Sequence, residues 1–179
     1  MSAPVLLVCM GVSGVGKSTL ARALADRWSL DFLEADDFHS AANRERMAAG
    51  KPLTDAMREP WIRAVCEALE QRRSRGRSCV LACSALRFAH RQTLRGLDFR
   101  VLFIDLQAGR DVIAGRMASR REHFAGPTLL DGQFDDLEPT SGEDDVITVD
   151  ANAPAEQVLE STVCAIRRLS LPAFPPGSP

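Results

Sequence analysis

The chain has 179 residues, a formal net charge of −2 and a charged fraction of 26%, which fit one globular domain with its own core. The slight acidic excess and the lack of a basic block argue against a nucleic-acid partner, because a phosphate backbone is usually met by a basic patch. No apolar stretch approaches the roughly 20 residues of a membrane span, so we expect no membrane partner either.

The N-terminus leads directly into a short apolar run, Val5 to Cys9, which is typical of a buried parallel strand. No charged region followed by a long apolar one precedes it, so we expect no signal peptide and a cytoplasmic location. The next stretch, Gly11 to Ser18, matches the phosphate-loop pattern G-x-x-x-x-G-K-[ST] at every fixed position. Apolar residues then recur at helical spacing from Leu20 to Trp28, which completes the strand, loop and helix that the pattern requires.

The glycines of this loop let the backbone fold tightly, so that successive N–H groups point into one concavity at a helix N-terminus. We expect this concavity to bind phosphate, with Lys17 on the β- and γ-phosphates of a nucleotide and the Ser18 hydroxyl on Mg²⁺. The alternative is a glycine-rich turn that happens to end in Lys-Ser. The candidate nucleotide-binding residues of this segment are Gly11, Val12, Ser13, Gly14, Val15, Gly16, Lys17, Ser18 and Thr19.

The second predicted strand, residues 31–35, runs into the acidic stretch Glu34-Ala35-Asp36-Asp37-Phe38-His39. Residues two apart on a strand point to the same face, so we expect Glu34 and Asp36 to face the phosphate loop together. A phosphoryl-transfer site needs one carboxylate near Mg²⁺ and another that orients and deprotonates the acceptor hydroxyl. We therefore assign Asp36 as the general base and Glu34 as a metal partner through water. The alternative is an acidic turn that caps the next helix, a role that also fits Asp37.

A polar segment, residues 36–55, precedes a helix that we predict from Pro60 to about Arg75, because proline fits a first helical turn. Arg58 lies just before this helix. A guanidinium group can meet a carboxylate through two hydrogen bonds, so Arg58 is a candidate to hold an acidic acceptor. The alternative is a surface arginine paired with Asp55 or Glu59.

Strands and helices go on alternating along the chain, which predicts an α/β fold with a parallel sheet. The further predicted strands are 79–83, 99–106 and 146–149, and the further predicted helices are 88–94, 111–121 and 155–169. Two insertions, 36–60 and 120–138, follow strands or their crossover helices, and ligands of such sheets bind beyond the carboxyl ends of the strands. We expect the first insertion to bind substrate and the second to form a lid. One domain is predicted over residues 1–170, with a disordered proline-rich tail over 171–179.

Two later groups of side chains are candidates for the same site. Ser84 closes the third strand, where its hydroxyl can point into the crevice or cap the next helix. Arg116, Arg120 and Arg121 lie around the second insertion with His123, and an arginine brought in by a lid can stabilise the charge of a transferred phosphoryl group. The alternative for these arginines is a solvated helix end, since basic residues favour a helix C-terminus.

The five cysteines are odd in number and show no C-x-x-C spacing. Cys9, Cys79 and Cys83 fall in predicted strands, and Cys66 and Cys164 fall in predicted helices. We expect reduced, buried thiols rather than disulfides, a metal site or a catalytic cysteine.

Taken together and in this order, these stretches resemble the gluconokinases, small P-loop kinases, over roughly residues 5–168. The stretches that carry the similarity are Leu33-Glu34-Ala35-Asp36-Asp37-Phe38-His39, Asn43 with Met47, Gly50-Lys51-Pro52-Leu53-Thr54-Asp55, Arg58, Pro60-Trp61, Cys83-Ser84-Ala85-Leu86-Arg87 and His123-Phe124. Four positions depart from the family pattern. Ser40 replaces a proline, Arg46 and Arg87 stand where lysine is common, and Glu34 stands where some members carry aspartate.

The resemblance implies an enzyme that moves the γ-phosphoryl group of ATP to the 6-hydroxyl of D-gluconate, with Mg²⁺ as cofactor, often as a homodimer. It implies a P-loop three-layer sandwich, with a five-stranded parallel sheet in the order 2-3-1-4-5, helices on both faces and a mobile lid. The implied roles are Asp36, His39, Arg58, Ser84 and His123 as gluconate contacts, Arg116 as a nucleotide contact, and Lys17 and Arg120 with Asp36 in catalysis. Two alternatives stay open: another small-molecule kinase on this scaffold, acting on shikimate or another sugar acid, and a nucleotide-binding switch without acceptor chemistry.

Overall fold

The computed structural model of the chain describes residues 3–118 and 127–169. The strands in this part of the chain are β1 (Val5–Met10), β2 (Asp31–Glu34), β3 (Cys79–Ala82), β4 (Arg100–Gln107) and β5 (Val146–Asp150). They form one parallel sheet in the order β2-β3-β1-β4-β5, which confirms the predicted strand order. The carboxyl ends of β2, β3 and β1 therefore lie side by side at one end of the sheet.

Helices cover both faces of this sheet. They are α1 (Lys17–Trp28), α2 (Ala41–Ala48), α3 (Asp55–Arg73), α4 (Phe88–Arg95), α5 (Arg110–Ala118), α6 (Pro127–Asp135) and α7 (Ala155–Arg168), with a 3₁₀ turn at Ala35–Phe38. Leu7 of β1 packs in the same core cluster as Leu24 of α1 and Val163 of α7. Its neighbour Val8 lies in a second cluster with Leu69 of α3. Since successive strand side chains point to opposite faces, β1 is buried on both sides, and the predicted three-layer sandwich is confirmed.

Helix α3 begins at Asp55 rather than at Pro60, so the predicted start of this helix was wrong. The N–H groups of Met57 and Arg58 both donate to the Thr54 carbonyl oxygen at 3.0 Å, so the helix has formed before the proline. Pro60 lies inside the helix, where its missing N–H removes one intrahelical hydrogen bond. Arg58 is consequently held by a helix and not by the loop in front of one.

The two insertions contain helices, α2 and α6, that the apolar spacing did not predict. Ser40 caps α2, because its hydroxyl accepts the N–H of Asn43 at 3.1 Å. Asp37, which we considered for this role, lies in the 3₁₀ turn instead. The side chain of Asn43 donates to the Met57 carbonyl oxygen at 3.1 Å, which joins α2 to α3. The segment predicted as a lid includes α6.

The expectations about the cysteines, about membrane-spanning segments and about the C-terminal tail have different outcomes. The cysteines are free thiols, and Cys9, Cys79 and Cys83 are buried as expected. Cys66 is only half-buried and Cys164 is exposed, so the expectation of burial was wrong for these two helical positions. Within residues 3–118 and 127–169, none of the helices has both the length and the apolar composition needed to cross a membrane. The tail predicted from residue 171 lies outside the described residues.

Candidate active site

The phosphate-loop pattern forms a tight turn between β1 and α1, as predicted. Gly11, Gly14 and Gly16 have φ angles of 133°, 78° and 114°, a region that favours glycine. A Cβ atom on Gly11 would lie only 2.8 Å from the backbone oxygen of Leu106, so this position has no room for a side chain. The turn ends at Lys17, the first residue of α1, which is the arrangement of loop and helix N-terminus that binds phosphate.

The carboxyl ends of β1, β2 and β3 border a cavity of about 350 Å³. Its walls come from the phosphate loop, the 3₁₀ turn, α2 and the loop after it, α3, the segment after β3, α4, and the C-terminal end of α6. The predicted site residues that line it are Ser13, Gly14, Lys17, Ser18, Asp36, His39, Arg58 and Ser84. One cavity therefore brings together the residues predicted to bind phosphate and those predicted to bind the acceptor.

Asp36 lies on the 3₁₀ turn and not on β2, so the strand-alternation argument that paired it with Glu34 was wrong. Its side chain nevertheless lines the cavity and is 74% exposed. Helix α3 holds this turn, since Nε1 of Trp61 donates a buried hydrogen bond of 2.7 Å to the Ala35 carbonyl oxygen. The residue in front of Asp36 is thereby fixed, which limits where the carboxylate can point.

His39 stacks on the indole ring of Trp61, with ring centroids 4.7 Å apart and an interplanar angle of 11°. Its Nε2 lies 3.9 Å from Oδ1 of Asp36. Burial lowers the pKa of His39; the charge of Asp36 opposes this, and the charges of Arg44 and Arg58 add to it. The ring is therefore neutral at pH 7, with one nitrogen as a donor and the other as an acceptor.

The Ser18 hydroxyl donates a hydrogen bond to the carboxylate of Glu34 at the end of β2. Burial raises the pKa of Glu34, and the Asp36 charge adds to this, whereas the hydrogen bond from Ser18 and the charge of Lys17 lower it. A hydroxyl at the start of α1 and a carboxylate at the end of β2 are oxygen ligands of the kind that Mg²⁺ prefers. These two side chains therefore fit a magnesium ion next to the phosphate loop.

Arg58 and Arg87 share two carboxylates. Nη2 of Arg58 donates to Oδ2 of Asp136 at 2.8 Å, and Nη2 of Arg87 donates to Oδ1 of the same residue at 2.7 Å. The Nη1 atoms of both arginines donate to Oδ1 of Asp55, at 3.2 and 2.5 Å. The ion pair between Arg58 and Asp55 that we considered as the alternative is thus present. Arg58 nevertheless also lines the cavity.

Asp136 is one of the cavity residues that the sequence patterns missed, together with Gln133 and His90. It lies 78 residues from Arg58 in the chain, so no local spacing can reveal the pair. Burial raises its pKa, but the hydrogen bonds and charges of Arg87 and Arg58 outweigh burial, and the pKa of the carboxyl is lowered. Asp136 is consequently ionised at pH 7 and supplies a negative charge to the two guanidinium groups.

Ser84 lies just after β3 and lines the cavity. It does not cap a helix, because α4 begins at Phe88 with Arg87 in the cap position, and the N–H of Phe88 is bound by the carboxylate of Glu138. The Ser84 carbonyl oxygen accepts the N–H of Gly11 at 3.2 Å. The segment after β3 is therefore joined directly to the phosphate loop.

A second cavity, of about 600 Å³, is bordered by the phosphate loop, α1 and the segment after β5. The predicted residues Val15, Gly16, Thr19 and Arg116 line it. The Arg116 guanidinium group donates to the carbonyl oxygens of Val15 and Ala153, both at 3.2 Å. Mostly apolar walls beside a phosphate loop fit the base and ribose of a nucleotide.

The remaining predicted residues lie elsewhere. Val12 is buried, and its carbonyl oxygen accepts a hydrogen bond of 3.0 Å from Nζ of Lys17, which folds this side chain back over the loop. Arg120, Arg121 and His123 lie outside the described residues.

Known proteins that are similar in sequence and in fold identify the family. A family model described as an AAA domain matches residues 6–137. A gluconokinase from Arabidopsis thaliana is 44% identical over an alignment of 146 residues. The alignment covers 74% of this chain and 77% of the relative. The chain belongs to the gluconokinase family. The crystal structure of a gluconokinase from Sinorhizobium meliloti 1021 is similar to it, with a TM-score of 0.83, 34% identity and 95% of both chains covered. A sugar kinase structure from Janibacter sp. HTCC2649 gives a TM-score of 0.86 and 39% identity over 92% of this chain and 95% of that one.

As a member of the gluconokinase family the protein is a P-loop kinase, and its departures from the family pattern have a structural explanation. Ser40, in place of a proline, caps α2 with its hydroxyl. Arg87, in place of a lysine, contacts Asp55 and Asp136 through two different nitrogens, which the single ammonium group of lysine cannot reproduce in this geometry.

Cys83 is adjacent to Ser84 but does not fit a nucleophile. Its side chain is buried, and burial raises the pKa of the thiol to about 12. The thiol is consequently neutral at pH 7, whereas cysteine chemistry needs the thiolate.

Proposed function

We propose that this protein transfers the γ-phosphoryl group of ATP to the 6-hydroxyl of D-gluconate, giving 6-phospho-D-gluconate and ADP. The observation that supports this most is the cavity in which Lys17 and Ser18 of the phosphate loop, Asp36 and Arg58 all share one space. Such a space offers a phosphate site, a carboxylate base and a guanidinium group for an acidic acceptor. The names of the relatives, gluconokinases from a plant and a bacterium, point to the same reaction.

At the nucleotide end, the backbone N–H groups of the loop and Lys17 would bind the β- and γ-phosphates of ATP. The base would occupy the second cavity, beside Arg116. Ser18 and, through water, Glu34 would hold Mg²⁺, which supplies positive charge to the phosphate oxygens when bound. The protein's own contribution here is to fix the triphosphate in one orientation.

At the acceptor end, Asp36 would take the proton of the 6-hydroxyl as its oxygen bonds to the γ-phosphorus and ADP leaves. Arg58 would bind the gluconate carboxylate, and Ser84 and neutral His39 would hydrogen-bond hydroxyl groups along the chain of the sugar acid. Arg120, as a lid arginine that stabilises the transferred charge, and His123, as an acceptor contact, follow from the family resemblance alone.

A panel of acceptors in a coupled assay of ADP release tests this proposal. We expect turnover on D-gluconate to exceed that on shikimate and on other sugar acids, and ³¹P NMR to show the new phosphate ester on the 6-hydroxyl. Faster turnover on another acid would show that this acid, and not D-gluconate, is the preferred acceptor. ATP binding without turnover on any acceptor would indicate a nucleotide-binding switch instead.

We also propose, from the resemblance, that the protein is a cytoplasmic homodimer. Light scattering of the purified protein would then give a mass twice that of the 19.5 kDa chain. A mass equal to that of one chain would contradict the dimer.

A further inference from the structure

Asp136 contacts Arg58 and Arg87 in the way in which a bound acid would. Each of its two carboxylate oxygens accepts a hydrogen bond from a different guanidinium group, at 2.8 and 2.7 Å. Its side chain is about three-quarters buried, and it lines the cavity beside these arginines. A carboxylate is the group that an acidic acceptor presents, so Asp136 and such an acceptor compete for the same N–H donors.

Asp55 contacts the same two arginines but differs from Asp136 in its exposure and in the number of oxygen atoms that it uses. Its side chain is 79% exposed, and it contacts the Nη1 atoms through a single oxygen. It also lies on α3 with Arg58, one turn away, where a local ion pair is expected. Asp55 is therefore a surface partner that can remain in place when the Nη2 atoms bind another anion.

The segment that carries Asp136 reaches both ends of the cavity. One turn earlier, on α6, Oε1 of Gln133 accepts the N–H of Ser13 in the phosphate loop at 2.6 Å. The same short segment thus contacts a phosphate-binding N–H group and the acid-binding arginines. A ligand that takes over either contact must move this segment, and the new interactions must compensate for those that are lost.

We propose that Asp136 competes with the anionic group of the acceptor for Arg58 and Arg87, and thereby sets the KM for acidic acceptors. The proposal rests on the proposed function, because it names the group of the acceptor that takes over these contacts. An acidic acceptor exchanges one pair of charge-assisted hydrogen bonds for another. A neutral polyol offers only hydroxyl groups, so it leaves Asp136 on the two arginines.

The experiment compares D-gluconate with D-glucitol, which has the same carbon chain but no carboxylate. kcat/KM for both acceptors, and inhibition of gluconate turnover by glucitol, are measured for the wild type, Asp136→Asn and Asp136→Glu. Asp135→Asn is the matched control, since Asp135 is the exposed neighbour at the end of α6. Thermal melting verifies that each variant is folded.

For Asp136→Asn we expect the KM for gluconate to fall about tenfold, which corresponds to one hydrogen bond to a charged group, because a competing charge has been removed. kcat/KM for glucitol and its inhibition of gluconate turnover should change much less, since glucitol does not displace Asp136. Asp136→Glu, which keeps the charge, and Asp135→Asn should both retain the wild-type KM for gluconate.

An unchanged KM for gluconate in Asp136→Asn, or an equal gain in affinity for glucitol, would overturn the proposal. A higher KM for gluconate in that variant would overturn it too, since it would mean that Asp136 only positions the arginines. Failure of the proposed function is visible separately, as wild-type protein that does not phosphorylate gluconate.

Discussion

The two ends of the cavity are built in different ways. At the nucleotide end, one continuous stretch between β1 and α1 supplies the loop, and three glycines with positive φ shape it. At the acceptor end, the lining side chains come from several separate segments, which include the 3₁₀ turn, α2, α3, the segment after β3, and α6 with the residue that follows it. The first end depends on backbone conformation within a short segment, and the second depends on tertiary contacts between distant segments.

This difference predicts how the two ends respond to substitution. A side chain at the acceptor end can be replaced without altering the phosphate loop, so acceptor chemistry and ATP binding should separate in the kinetics. The backbone hydrogen bond from Gly11 to the Ser84 carbonyl oxygen, which joins the two ends, remains in such variants. Substitutions of side chains at the acceptor end, and of residues that hold its segments in place, test this separation.

The largest effect is expected for Asp36→Asn, which removes the proposed base and keeps the shape of the side chain. We expect kcat to fall by about 10²–10⁴-fold, the usual contribution of a general base, with the KM for ATP nearly unchanged. Steady-state assays with gluconate and ATP measure both. Asp26→Asn, an exposed position on α1, is the control and should behave as the wild type.

Asp37 also lines the cavity, so Asp37→Asn is the informative comparison. A larger loss of kcat in Asp37→Asn than in Asp36→Asn would transfer the role of base to Asp37. A rise of the KM for ATP in Asp36→Asn by a factor as large as the fall in kcat would contradict the independence of the two ends.

The next effect in size is expected for Arg58→Lys. A lysine keeps the charge but cannot make the two directed hydrogen bonds of a guanidinium group. We expect the KM for gluconate to rise about tenfold to a hundredfold, with the KM for ATP unchanged, because hydrogen bonds to charged groups contribute about 1.5–3 kcal/mol. Arg63→Lys, in an exposed pair with Glu59 on the same helix, should leave both constants unchanged. A fall in kcat alone would show that Arg58 does not bind the acceptor.

Trp61→Phe tests how the turn that carries Asp36 is held. The variant keeps an aromatic ring but leaves the buried Ala35 carbonyl oxygen without its donor. We expect the free energy of unfolding to fall by about 1–3 kcal/mol and kcat on gluconate to fall as well, because the turn is less fixed. Urea denaturation and the coupled assay measure these quantities. Unchanged stability would contradict the role given to this hydrogen bond.

The smallest effect is expected for Ser40→Ala, which removes the cap of α2. We expect a loss of about 1 kcal/mol in the free energy of unfolding, the typical contribution of an N-cap. Ser161→Ala, on the exposed side of α7, is the control, and it should change stability by no more than about 0.5 kcal/mol. Equal effects of the two substitutions would show that the hydroxyl of Ser40 does not stabilise α2.

The same difference between the two ends explains what could be predicted from the sequence. The phosphate loop is a local pattern, and the apolar runs predicted the strands. The order of the strands came from the family resemblance alone. Asp36 was correctly predicted to line the cavity, but the reason given, alternation of side chains along β2, was wrong. The chain leaves β2 after Glu34 and turns before Asp36. The start of α3 was missed because its first turn is polar, and proline was taken as the first residue.

Asp136 and Gln133 could not be found from spacing, because their partners lie 78 and 120 residues away in the chain. The few apolar residues of helix α6 alternate with glycine and polar residues, so their spacing did not predict a helix. The sequence analysis assigned this segment only to the lid. Contacts that are made across a cavity depend on how the elements pack. They become visible only once the sheet has placed the ends of β1, β2 and β3 next to one another.

The central claim is that Asp36 and the phosphate loop face one acceptor hydroxyl from two sides. A crystal structure with D-gluconate and a non-hydrolysable ATP analogue tests it most directly. We predict the 6-hydroxyl oxygen within about 3 Å of the Asp36 carboxylate and in line with the γ-phosphorus. A structure in which the side chain of Asp36 lies on the outer surface, away from both ligands, would contradict the account.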